Sequence, residues 1–229
     1  MIEFSFGEVE AVLVALNHVA DEKRTAFRAR LKHFQRLGFP AGANTGTGTR
    51  AIYTFPMLLQ MCLATELEQT GMAPLRIVEM IKWNWSDQMG GLFLAMLPGD
   101  VLDQFTPPFP DNNLVWTLAP EALRDLTKEG AKESDALFAV RVFPAIELVT
   151  QLYDVNHNPT GGDYRHVVIF LKPLMWRITS IVRSIRSDIT FADLGQEFEQ
   201  YLRDFQEKVT ETAKMIGKKK APDASNPQA

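Results

Sequence analysis

Between residues 23 and 50 the chain reads KRTAFRARLKHFQRLGFPAGANTGTGTR, with seven Lys or Arg and no Asp or Glu. The whole protein carries a formal net charge of −4, hence −11 once these seven positives are set aside. Cationic character gathered in one stretch of an acidic protein points to a face that meets a polyanion. Phasing at about 100° per residue over 22–37 puts Phe27, Leu31, Phe34 and Leu37 on one apolar stripe. Arg24, Arg28, Lys32 and Arg36 then form an i, i+4 ladder on the neighbouring face, with Lys23, Arg30 and Gln35 beside it. Like charges at that spacing repel, and a phosphate backbone is the anion that best offsets them.

Gly38 and Pro40 stop this helix. The Gly- and Thr-rich run that follows suits a tight hairpin tip, and the alternation over 49–54 suits a short strand. Upstream, Ser5 and Glu8 form a capping box that opens a first helix, with Val9, Val12, Leu13, Leu16 and Val19 on its buried face. Asn17, His18 and Asp21 make a polar break, with His18 read as a turn or surface residue. Helix, break, basic helix and hairpin together predict a helix-turn-helix with a wing.

These residues resemble the DNA-binding domain of MerR-type winged helix-turn-helix regulators over about the first 85 positions. RARLKHFQRLGFP carries a recognition-helix end running into a Gly-Phe turn, GTGTRAIYT carries Gly48, Arg50 and Tyr53 of a wing, and MLLQMCLATELEQTGM with PLRIVEMI supplies two further helices. The resemblance implies that Arg28 and Arg30 lie on or beside the recognition helix and that Arg50 and Tyr53 hold the wing on phosphates. This chain departs from the family in a longer helix-turn-helix, in lacking a long dimerisation helix directly afterwards, and in lacking its metal-sensing cysteines. The DNA-contacting set read from the chain is therefore Lys23, Arg24, Arg28, Arg30, Lys32, Gln35 and Arg36 at the groove, with Thr47, Thr49, Arg50 and Tyr53 on the wing.

Beyond the wing, Thr54 caps a helix with Pro56 in its first turn, and Pro74 starts another. Trp83 and Trp85 are read as a packing seam. At Gly90-Gly91 the character changes, and short apolar runs over 92–97, 113–118 and 137–143 predict a small antiparallel sheet with helices on one face. A small amphipathic helix over 120–127 and a helix from Pro144 through Tyr153 accompany it. The run over 164–171 is strand or buried helix, and helices follow from Pro173 and from a Thr190/Asp193 cap. The apolar stripe of the last helix either docks on the domain or pairs with a second copy.

The fold class is thus α+β and mainly helical: a winged helix-turn-helix domain over 1–85, an α+β dimerisation, effector or partner domain over 90–215 with a C-terminal helix, and a disordered tail over 216–229. At 229 residues and 46% hydrophobic content the chain has material for such cores. No signal peptide or membrane span is expected. The single cysteine, Cys62, is read as a reduced core residue. The run over 154–163 starts like a calcium loop, but Pro159 and Arg165 stand where Gly and a carboxylate are needed. No phosphate-cradling loop, nucleophile elbow or HExxH occurs, and no cofactor or metal is expected. The functional expectation is a cytoplasmic, nucleoid-associated transcriptional regulator that binds double-stranded DNA as a homodimer and is not an enzyme. An excisionase-like or replication-associated DNA-binding protein, or an adaptor whose basic helix meets an acidic protein, is the alternative.

Overall fold

The computed structural model describes residues 1–43, 50–96, 114–118, 141–148 and 167–219. The first helix starts where its reciprocal cap predicts. The Glu8 carboxylate accepts the Ser5 N–H at 2.7 Å, and the Ser5 hydroxyl accepts the Glu8 N–H at 3.3 Å. Helix α1 (Phe6–Leu16) follows and buries Val9, Val12, Leu13 and Leu16. The Asn17 amide ends it, donating to Leu13 O at 2.8 Å and to the Thr65 hydroxyl at 3.2 Å. After a 3-10 turn (Asp21–Lys23) comes α2 (Arg24–Arg36), closed by Gly38 at φ 69°, where a side chain is disfavoured.

Strands β1 (Glu3–Ser5) and β2 (Ile52–Thr54) pair antiparallel, with Phe4 opposite Tyr53. The sequence predicts instead that the strand over 49–54 closes a local hairpin. The partner of β2 is at the N-terminus because both strands turn one aromatic inward, Phe4 and Tyr53, into a shared core. Each strand also runs directly into a hydroxyl-capped helix beginning with Phe: Ser5 into α1, and Thr54 into α3 (Phe55–Glu68). The hairpin tip, 44–49, lies outside the described residues.

Helix α4 (Pro74–Met96) overturns one expectation and spans the place of another. Leu92 to Met96 is helical, not a strand, and the boundary expected at 85–90 falls inside one helix. The reason is packing that keeps the helical period through the Gly-Gly pair: Trp85, Met89, Leu92 and Met96 are all buried. Gly91 is there for close approach, since a Cβ at that position would stand 2.8 Å from Val142 Cγ1 and 3.0 Å from Leu171 Cδ1. The two tryptophans divide: Trp85 donates through Nε1 to Tyr201 at 3.0 Å, whereas Trp83 is 72% exposed.

An antiparallel sheet is present with two of its three expected runs, β3 (Leu114–Leu118) and β4 (Arg141–Pro144), and the run left open between strand and helix supplies its third strand, β5 (Val167–Phe170), on the other side of β3. The helix predicted from Pro144 opens as a 3-10 turn (Ala145–Glu147), and residues 149–153 lie outside the described set. So do the predicted helix over 120–127 and the loop over 154–163. Strand β5 leads into α5 (Leu171–Ile185), and Thr190 and Asp193 exchange hydrogen bonds at 2.8 and 3.1 Å to cap α6 (Phe191–Lys219). The stripe of α6 docks within the same chain: Phe198 meets Phe55 and Phe93 edge-on at 6.1 and 5.8 Å between centroids. The helix continues through 216–219, where a disordered tail is predicted. One core cluster runs from Phe4 to Phe198 and includes residues on both sides of the expected boundary.

Arg186 locks the far end of the chain to the first strand. Its guanidinium donates to Glu3 O at 3.1 Å, to Glu8 at 3.0 Å and to Asp188 at 2.8 and 2.7 Å, with its carbon 6.0 Å from the Phe4 ring centroid. No helix among the described residues is long and apolar enough to cross a membrane.

Candidate nucleic-acid interface

Helix α2 keeps the phase that its sequence predicts. Leu31 and Phe34 are fully buried, with Phe27 and Leu37 packed half-buried beside them. The cations, however, divide into two groups according to where carboxylates lie.

Arg28 turns toward α1, where its Nε faces both Glu10 oxygens at 2.8 and 2.9 Å. Glu10 is only 6% exposed, and a carboxylate withdrawn from water needs a countercharge. On the opposite flank, Arg30 Nη1 lies 3.0 Å from the largely buried Glu68 carboxylate. Arg24 meets Asp21 at 3.0 Å, both exposed. The repulsion inferred within the ladder is thus offset in part by the protein's own carboxylates, which sit outside the basic stretch in sequence but against it in space. Arg28 and Arg30 brace α2 between α1 and α3, each pairing with one carboxylate while its own side chain stays more than half exposed.

Two further residues of the predicted set turn toward each other, Tyr53 fully buried and Gln35 half-buried. Tyr53 is 0% exposed, and its hydroxyl accepts from Gln35 Nε2 at 2.6 Å. Burial pushes the phenol's pKa up, against the Gln35 hydrogen bond. A ring so enclosed does not reach a phosphate, so Tyr53 does not fit the wing role expected of it, and its hydrogen bond with Gln35 links α2 to β2.

What remains outward on α2 is a crest of Thr25, Ala29, Lys32, His33 and Arg36, all exposed. Among the described residues, neither Lys32 nor Arg36 has a carboxylate within ion-pair distance; Arg36 Nε only touches Lys32 O, at 3.4 Å. The small side chains of Thr25 and Ala29 allow a rigid surface to come close to the helix between the cations. Sequence reasoning missed Thr25, Ala29 and His33, although their signal was available: they lie opposite the arc of Phe27, Leu31, Phe34 and Gln35. Lys23 and Arg50 are exposed at the two ends of the segment, while Thr47 and Thr49 lie outside the described residues.

Chemically the crest offers two full cations, an imidazole and a hydroxyl on a stiff support, a set suited to phosphate and base-edge oxygens. Cys62 is enclosed in α3, where burial pushes its thiol pKa up and away from nucleophilic use. No cluster of three His, Cys, Asp or Glu suited to a metal occurs among the described residues. No protein family, curated protein or solved structure matches this chain.

Proposed function

We propose that this protein binds duplex DNA through the crest of α2 and acts as a transcriptional regulator. The observation that carries the binding is the pair Lys32 and Arg36, exposed on a helix without acidic residues and without a carboxylate partner among the described residues. The regulatory role rests on the resemblance of residues 1–85 to MerR-type domains, and binding as a dimer belongs to the same proposal. Because the α6 stripe is occupied within the chain through Phe205, that part of α6 is not the dimer contact in this reading.

The test is a titration of a fluorescent random-sequence duplex at two salt concentrations with three proteins: wild type, the Lys32→Ala/Arg36→Ala double variant, and the Arg28→Ala/Arg30→Ala double variant. Wild-type affinity falls with salt, with a slope of about −0.9 in log–log terms for each phosphate neutralised. Removing Lys32 and Arg36 lowers the magnitude of that slope by about 2, about 1 for each phosphate no longer neutralised. Removing Arg28 and Arg30 lowers thermal stability more than it changes the slope. Folded wild-type protein that ignores the duplex at low salt ends the DNA reading and leaves an acidic protein as the partner to seek.

A further inference from the structure

The interface between α4 and the sheet contains hydrogen-bonding groups that no other described residue satisfies. Gln88 on α4 is 2% exposed, and neither its Nε2 nor its Oε1 has a partner among the described residues; Trp116 on β3 is 1% exposed, and its Nε1–H has none there either. Native interiors seldom leave such groups unpaired, because each gives up its water for nothing.

Both residues face the same interface. Trp116 stands opposite Val142 on one neighbour and Ile169 on the other, and directly opposed residues of antiparallel strands share a face. Val142 is the side chain that a Cβ on Gly91 would strike, so this is the face turned to α4. On the helix, Asn84, Gln88, Gly91 and Ala95 recur at four, three and four residues, which lines them up along one side, and all four are buried. Asn84 is already committed through Nδ2 to Met80 O at 2.9 Å. An amide from the helix and an indole from the sheet therefore enter one apolar interface from its two walls, bringing N–H donors from both and a carbonyl acceptor from the helix.

We propose that this interface seats a small uncharged molecule of the amide or alcohol class, held by Gln88 and Trp116. Its oxygen accepts from the indole and the glutamine N–H groups, and its own N–H or O–H donates to Gln88 Oε1. Asn84, Gln88, Gly91 and Ala95 of the stripe carry no charge, so among the described residues of this stripe a carboxylate or an ammonium ion finds no countercharge. This seat stands apart from the α2 crest and does not depend on it.

The experiment follows the indole N–H resonances of the full-length protein in 1H–15N spectra, with Trp116 assigned through Trp116→Phe. The probes are acetamide, ethylene glycol and, as the charged control, acetate. The expected result is a saturable shift of the Trp116 resonance with acetamide or ethylene glycol but not with acetate, with Trp83, Trp85 and Trp176 unmoved. Gln88→Leu and Gln88→Met, checked for a dispersed spectrum, lose the saturable response. Overturning results are a Trp116 resonance that no probe moves, a response equal for acetate, or a response that survives in a folded Gln88 variant. A silent wild type with a Gln88→Leu variant of higher denaturation midpoint likewise overturns the seat and identifies a packing defect. If neither Gln88 variant folds, the wild-type pattern across the four tryptophans and three probes decides alone.

Discussion

Two adjacent glycines in α4 have the same residue type and opposite constraints. Gly91 lies against β4 and α5, and a methyl group there meets Val142 Cγ1 at 2.8 Å. Gly90 has no described residue within 4 Å of the corresponding position. Gly91→Ala should therefore destabilise by about 1–3 kcal/mol through overpacking, whereas Gly90→Ala should stabilise by about 0.4–1 kcal/mol by narrowing the unfolded ensemble. Urea denaturation midpoints of the two single variants measure this directly, and equal shifts of one sign would refute the packing argument. Tyr53 teaches the complementary lesson about reading a residue by type. Its place in GTGTRAIYT fits a wing contact, yet nothing local announces that its ring fills a core with Phe4 and receives Gln35. Burial of a polar aromatic is decided by partners distant in sequence.

Elements announce themselves unevenly. The Ser5/Glu8 and Thr190/Asp193 caps, the Thr54 cap, and the stripe of α2 are local chemistry within three or four residues, and all four are legible in the sequence. The strand expected over 49–54 is present as β2, but its pairing with β1 is non-local and could not be read from the sequence around it; the hairpin tip lies outside the described residues. The pairing of the α2 arginines with Glu10 and Glu68 is equally non-local, which is why the sequence shows an unbroken ladder and the structure only a two-cation crest. The caps and the Arg186 junction also make a pH prediction. The Glu8 carboxyl is held below its usual range chiefly by the Ser5 N–H, with the Ser5 hydroxyl and Arg186 helping and burial opposing. Arg186 does the same for Asp188, and the Thr190 hydroxyl and N–H do so for Asp193. A carboxylate whose pKa is lowered by folding contributes stability that is complete above the unfolded value of about 4 and is lost as pH falls through the folded value. The melting temperature should hold from neutral pH down to about 5 and fall below about 4, with a shallower acid fall in Glu8→Gln. An identical acid slope in wild type and variant removes Glu8 from the account.

At the level of the whole molecule, the sequence reads as two domains because Gly-Gly followed by short apolar runs is a strong punctuation signal. The structure instead threads one helix through that point and packs both sides into a single cluster. A fragment of residues 1–85 loses Phe198 from Phe55, Tyr201 from Trp85, and Arg186 from Glu8. It should show no cooperative thermal transition by circular dichroism; a sharp transition would restore the two-domain reading. Mechanically, α4 is a shaft about 35 Å long at 1.5 Å per residue, touching α2 and, around Gly91, the sheet. No linker separates these two contacts along the helix. One continuous helix thus touches both the support of the basic crest and the sheet.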